Sequence, residues 1–266
     1  MKLHGVLRRI ISLLGCSAKK SSAASISSGR NLVVPDVYNQ DGLTSIHNHE
    51  FMNDGEFVAA YRRGVAAAGI DYQWHWRVHV GLWAAYTASR LPGDFVECGV
   101  NKGFMSSSIM HYLNWDALGK TFYLLDTFKG IDERYVTPQE LEGGVLEKNK
   151  KLIESGGYVQ GSEAARKNFS EWRNTLIIEG VIPETLAAVR AERVAFLHID
   201  LNCAPPEIAA LNYFWDRLVV GACVLLDDYA YQGYREQKLA MDALVASKGA
   251  RIMSLPTGQG LLIKTC

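Results

Sequence analysis

The sequence predicts an α/β protein in which a mainly parallel sheet, ending in an antiparallel C-terminal strand, follows an N-terminal helical region. Three observations carry this. From residue 94 onward, apolar runs of strand length alternate with helical segments, the pattern of βαβ units. Between 37 and 91, apolar and aromatic residues recur at spacings of three and four, which is the helical period. Finally, Pro256-Thr257-Gly258-Gln259-Gly260 interrupts the last apolar run, so that run reads as two strands joined by a tight turn.

In chain order, residues 1–36 come first. They carry Lys2, Arg8, Arg9, Lys19, Lys20 and Arg30 and only one acid, Asp36. Leu3, Leu7, Ile10 and Leu14 fall at helical spacing, which suits a short amphipathic helix over 1–16. Such a helix packs on protein or rests on an anionic membrane surface. Its apolar run is shorter than a secretory signal needs, so a signal peptide is not expected. A Ser/Ala/Lys stretch then reads as a flexible linker. Residues 37–92 form the helical region, ended by Pro92-Gly93. Residues 93–266 form the core. Its strands are expected at 94–100, 121–127, 174–180, 193–201 and 222–229, with two more within 250–264. Helices are expected at 103–118, 138–172, 184–191, 205–217 and 232–248. No internal repeat is present.

The bulk numbers exclude several function classes. The chain has 266 residues, with 28 basic and 28 acidic side chains. Zero formal charge argues against nucleic acid as the main ligand. Five cysteines, Cys16, Cys98, Cys203, Cys223 and Cys266, lack CxxC spacing, which fits a reducing compartment better than a disulfide scaffold. No stretch approaches the ~18–20 apolar residues of a membrane span. The expectation is a cytoplasmic protein, with membrane-peripheral contact through 1–16 as its variant.

In open α/β sheets ligands bind beyond the carboxyl ends of the strands, and there this chain is unusually polar. The first core strand ends Glu97-Cys98-Gly99-Val100-Asn101-Lys102-Gly103 and leads into a helix. The two glycines permit a tight turn and close backbone approach, and the helix start presents free N–H groups. An ordinary glycine-containing turn is the competing reading. G-x-x-x-G is not the G-x-G-x-x-G of a nicotinamide site. Glu97, ahead of the first glycine, suits a cationic ligand such as S-adenosylmethionine better than a pyrophosphate. Asp126, with Thr127 after it, ends the second strand, the usual place for a ribose-gripping carboxylate; a helix cap is the alternative. The fourth strand ends His198-Ile199-Asp200-Leu201-Asn202, and the fifth ends Asp227-Asp228. Clustered carboxylates raise one another's pKa. A hard divalent cation (Mg²⁺, Mn²⁺ or Ca²⁺) would relieve Asp200, Asp227 and Asp228. The competing account has one aspartate capping a helix and another pairing with Arg217 or Arg235.

Together, GDFVECGVNKG, LLDTFKG, HIDLN and GACVLLDDY resemble the metal-dependent sugar O-methyltransferases of the macrocin O-methyltransferase family, over residues ~50–264. PTGQG looks like a subgroup feature. The resemblance implies a Rossmann-like class I methyltransferase sheet with an N-terminal helical lid that also serves a homo-oligomer. It implies S-adenosylmethionine as cofactor, with Glu97, Gly99 and Gly103 at the methionine end and Asn101 also binding it. Asp126 and Thr127 would lie at the ribose, and Gly180, beside Glu179, near the adenine. Asp200, Asp227 and Asp228 match the family's metal-binding aspartates. One position departs: Asn202 stands where the family carries an aspartate proposed as general base, and an amide cannot take that proton. Two routes remain. A metal-bound acceptor hydroxyl of lowered pKa gives its proton to a ligand carboxylate or to water, or His198, or His47 or His49 from the lid, supplies the base. A satisfied core histidine is the competing reading of His198.

The expected activity is methyl transfer from S-adenosylmethionine to an acceptor hydroxyl, that of a sugar in a glycan or secondary metabolite, with Asp200, Asn202 and His198 as the catalytic set. Trp74, Trp76 and Trp83 are candidates for a sugar-facing wall, against helical core packing. A catechol-type methyltransferase and a non-catalytic S-adenosylmethionine-binding protein are the competing expectations.

Overall fold

The computed structural model describes residues 36–266, so the expectations for 1–35 lie outside the described residues. Residues 36–266 form one compact unit. The unit opens with a hairpin, β1 (Tyr38–Gln40) and β2 (Leu43–Ser45), and two helices, α1 (Gly55–Ala68) and α2 (His75–Ser89). The order continues β3 (Asp94–Cys98), α3 (Phe104–Tyr112), β4 (Phe122–Asp126), α4 (Pro138–Glu142), α5 (Val145–Glu154), α6 (Glu163–Phe169), β5 (Thr175–Glu179) and β6 (Val194–Ile199). It closes with α7 (Ala204–Phe214), β7 (Leu218–Leu226), α8 (Arg235–Ser247), β8 (Met253–Ser254) and β9 (Gly260–Ile263).

The sheet runs β5-β4-β3-β6-β7-β9-β8. The first five strands are parallel, while β9 is antiparallel to β7 and to β8. The C-terminal expectation thus holds in detail: two strands with the PTGQG turn between them. Strand order reverses between β3 and β6, which makes their tips the topological switch point. Register sets Glu97 beside His198, and His198 beside Leu225.

The charged stretch 138–172 is three helices rather than one, because Gly143-Gly144 and Gly156-Gly157 interrupt it. Thr137 caps α4 with a reciprocal Glu140 capping box, the device that satisfies orphan N–H groups at a helix start. Residues 184–191 form only a 3-10 turn, Leu186–Ala188. The buried core lies in two layers, one on each face of the sheet. On one side Phe57, Ala60, Val78 and Leu82 of the N-terminal helices pack with Phe95, Ile109 and Phe196. On the other, Leu211, Phe214 and Met241 pack with Val96, Leu197 and Val224. The N-terminal helices therefore build a face of the sheet, and from this region Ala68 at the end of α1, Tyr72 and Trp74 of the α1–α2 connection, and Arg77 of α2 line the ligand cavity. Among the described residues, no helix is long and apolar enough to cross a membrane. The described cysteines are free thiols, Cys98, Cys203 and Cys223 buried and Cys266 exposed.

Candidate active site

A cavity of about 430 Å³ opens beyond the β3 and β6 tips. Of the expected site residues, Glu97, Gly99, Asn101, Asp126, Thr127, Gly180, His198, Asp200, Asn202, Asp227 and Asp228 all line it. Gly103 lies just behind, at the N-terminus of α3.

The glycine turn is a steric necessity. Gly99 has φ +93°, and a Cβ there would lie 1.8 Å from the carbonyl oxygen of Asp200. Gly103 has φ +88°, and a Cβ would lie 2.4 Å from the ring of Phe169. Only glycine lets the β3 turn press against the β6 tip. Asp126 secures the turn from the next strand. Its Oδ2 accepts from the N–H groups of Val100 and Asn101, both at 2.7 Å, and its Oδ1 from Phe128 N–H at 2.6 Å. The side chain expected at a ribose thus spends most of its acceptor capacity on the backbone. Asn101 is similarly committed. Its amide donates to Gly157 O (2.7 Å) and accepts from Val159 N–H (3.1 Å), stapling that loop over the cavity. Thr127 Oγ1 donates to Gly130 O at 2.6 Å. Glu179 accepts from Ser162 Oγ at 2.6 Å, outside the cavity that Gly180 lines.

Glu97 and His198 form a buried pair, Nδ1 to Oε1 at 2.8 Å. His198 Nε2 faces Asp227 Oδ1 at 3.6 Å, an ion-pair distance too long for a hydrogen bond. Burial pushes the imidazole pKa down, but the Asp227 and Glu97 carboxylates overcome it and raise it to about 10. The two carboxylates thus favour the charged imidazolium, which makes His198 a poor proton acceptor. It is charge-paired on both sides but not satisfied, because its buried Nε2 has no hydrogen-bond partner. His47 and His49 do not line the cavity. Glu97 Oε2 is buried and has no hydrogen-bond partner, an arrangement that costs free energy unless a ligand donor completes it.

The aspartate doublet diverges from expectation. Asp227 Oδ2 lies 2.5 Å from Arg77 Nη1, and its Oδ1 accepts from Gln259 Nε2 at 3.0 Å. Although burial disfavours its charge, Arg77 and then His198 hold the Asp227 carboxyl well below the ordinary range. Asp200 moves the other way: burial, then Asp227 and Asp228, push it well up. Burial, and next the Asp227 charge, raise Asp228 to about 7. The three carboxylates are thus not equivalent donors around one point. Among the described residues, no group of three or more His, Cys, Asp or Glu side chains is arranged to hold a metal ion. Neither Arg217 nor Arg235 is the partner. That partner is Arg77, on the apolar face of α2 with Val78, Gly81 and Leu82. An arginine within that buried stripe was the one sequence signal for it.

Asn202, at φ +60°, bridges Asp200 and Tyr234. Its Nδ2 donates to Asp200 Oδ1 at 3.1 Å, and its Oδ1 accepts from the Tyr234 hydroxyl at 2.9 Å. Lys148 Nζ donates to the same hydroxyl at 3.1 Å and lies 4.2 Å from the ring centroid. Tyr234 and Lys148 were missed in the sequence because α5 and the loop after β7 are brought together only by the fold. Trp74 lines the cavity; Trp76 instead packs among Tyr38, Phe51 and His79, and Trp83 is half exposed outside it.

Comparison with known proteins agrees with this fold. A family model described as macrocin-O-methyltransferase (TylF) matches residues 78–244, more than half of the chain. A curated relative, 8-demethyl-8-(2,3-dimethoxy-alpha-L-rhamnosyl)-tetracenomycin-C 4'-O-methyltransferase of Streptomyces olivaceus, is 27% identical over 157 residues. That match spans 56% of this chain and 58% of the relative, less than two thirds of its length. The structure of the O-methyltransferase NovP superposes with a TM-score of 0.61 at 19% identity, covering 71% of this chain and 80% of that one. NovP shares the fold, a Rossmann-like methyltransferase sheet with antiparallel C-terminal strands. The chain belongs to the macrocin-O-methyltransferase family.

Proposed function

We propose that this chain is an S-adenosylmethionine-dependent O-methyltransferase acting on a hydroxyl of a sugar-type acceptor. The observation that carries the reading is Glu97 Oε2, a buried carboxylate oxygen without a partner, lining a cavity at the β3–β6 switch point. The glycine turn beside it leaves room for a ligand's methionine portion, and family membership supplies the reaction class. The curated relative's sugar acceptor supports the substrate class.

S-adenosylmethionine supplies an already activated sulfonium methyl. What remains for the protein is binding, alignment and proton removal, and alignment is the larger effect. Glu97 receives the ammonium group. Burial and neighbouring carboxylates raise both Asp200 and Asp228, and Asp228, at about 7, takes the acceptor's hydroxyl proton near neutral pH. Asn202 holds one oxygen of Asp200 while Tyr234 and Lys148 brace Asn202. Tyr231 and Tyr234 border the acceptor end with aromatic surface, whereas Trp74 is stacked on Tyr72 and faces Arg77. A divalent cation is not part of this reading. The expected three-aspartate site does not fit, because Asp227 already holds Arg77, Gln259 and His198.

The test is isothermal calorimetry with S-adenosylhomocysteine, followed by methyl-transfer assays on a deoxysugar nucleotide and on a catechol. Binding with transfer to the sugar is expected. Transfer only to the catechol would replace the acceptor class, and binding without any transfer would make the chain a binding protein.

A further inference from the structure

The aspartate cluster carries its own cation. Every nitrogen of the Arg77 guanidinium is engaged: Nη1 with the carboxylate and carbonyl of Asp227 (2.5 and 3.1 Å), Nε with Asp41 Oδ2 (3.2 Å), Nη2 with the Thr257 carbonyl (3.4 Å). Asp228 Oδ1 lies 3.6 Å from Nη1. The group is clamped between two aromatic faces, with ring centroids of Tyr231 at 5.0 Å and Trp74 at 5.4 Å. Its side chain is 4% exposed. A guanidinium so placed cannot lose its proton and has little freedom to move away.

Both oxygens that Asp227 could offer a divalent ion are already engaged. Asp227 presents one to Arg77 and the other to Gln259, which is fully buried and held by Thr257 Oγ1 at 2.9 Å. His198 adds a second cationic neighbour to the same carboxylate. Asn202, whose amide oxygen is a conceivable ligand, spends that oxygen on Tyr234. Magnesium requires near-octahedral oxygen donors at ~2.0–2.1 Å, and an ion bound to Asp227 would stand a few ångström from the guanidinium. The PTGQG turn acquires a reason here. Its Thr257 carbonyl and Gln259 amide hold Arg77 and Asp227 in register.

We propose that Arg77 is the resident counter-cation of the Asp200–Asp227–Asp228 cluster and that this chain binds its cofactor and transfers methyl groups without a divalent metal. Arg77 acts as a positioning residue, through Asp227 and Asp228. The methyl-transfer half rests on the methyltransferase reading, whereas the ion-binding half does not.

The full-length chain is stripped with EDTA and titrated with Mn²⁺, free ion being followed by electron paramagnetic resonance. Wild-type protein is expected to leave the free Mn²⁺ signal unchanged. Arg77→Gln, checked for folding by circular dichroism, should gain Mn²⁺ affinity by at least about tenfold, since a unit charge a few ångström from the ion has been removed. Adding Asp228→Asn should cancel that gain, which a purely structural role for Arg77 would not predict. S-adenosylhomocysteine affinity and turnover of the stripped wild-type enzyme should be unchanged by added Mg²⁺. Tight Mn²⁺ binding by wild-type protein that Asp227→Asn abolishes would overturn the proposal, as would activity that returns only with Mg²⁺. Those wild-type arms decide the question even if Arg77→Gln fails to fold. Failure to bind S-adenosylhomocysteine under any condition would instead sink the methyltransferase reading, with the Mn²⁺ result standing by itself.

Discussion

Glu207 lies in the first turn of α7, immediately behind the Asn202 loop, and is buried at 5% exposure. Its one side-chain partner is Gln237, whose Nε2 donates to Oε1 at 3.2 Å. Burial dominates, and the pKa rises from 4.5 to about 8 despite the Gln237 contact. A carboxyl with a raised folded-state pKa binds its proton more tightly folded than unfolded. It therefore costs no stability below the unfolded value, and the cost grows as pH climbs from 4.5 towards 8. At 1.36 kcal/mol per unit, the penalty is about 1 kcal/mol at pH 5 and about 4 kcal/mol at pH 8. Glu207→Gln keeps the shape and the acceptor for Gln237 but cannot ionise. Any steric or hydrogen-bonding cost of the amide is the same at both pH values. The difference in stability, variant minus wild type, should thus shift by about 3 kcal/mol in the variant's favour between pH 5 and pH 8. Urea unfolding of both proteins at both pH values measures it. A difference independent of pH would refute the idea that a buried, reluctantly ionised carboxyl stands at this helix start.

Three further outcomes are expected. Glu97→Gln removes the charge facing the cofactor's ammonium and should weaken S-adenosylhomocysteine binding by about ten- to a hundredfold in calorimetry, the value of a charge-assisted hydrogen bond; unchanged affinity would dismiss that contact. Asn202→Ala frees Asp200 Oδ1 and Tyr234 together, so kcat should fall by about tenfold or more while cofactor affinity holds, as expected for a lost positioning contact, with steady-state kinetics and calorimetry separating the two. Gly99→Ala drives a methyl group into the Asp200 carbonyl, so it should lower the unfolding free energy by about 3 kcal/mol or more and abolish cofactor binding, and a thermal melt like that of wild type would contradict the close approach.

Much of this protein was legible in one dimension. Strand positions follow from short apolar runs whose inward face needs no long-range information, and alternation with helices implies a parallel sheet. The polar residues at strand tips are legible for the same reason, since nothing in strand packing calls for Glu97, Asp126 or Asp227-Asp228 there. Glycine is legible wherever the backbone leaves no alternative, as at Gly99 and Gly103. What the tertiary structure alone decided is which charges meet. Arg77 lies 150 residues from Asp227, and Thr257 and Gln259 come from the last turn of the chain. Only the strand order that sets β7 against β9, with α2 packed across the sheet, brings them together. Sequence spacing carries no record of that convergence because charge pairing is set by distance through space. So the doublet Asp227-Asp228, two like charges in sequence, is in the fold one carboxylate neutralised by arginine and one left with a pKa of about 7.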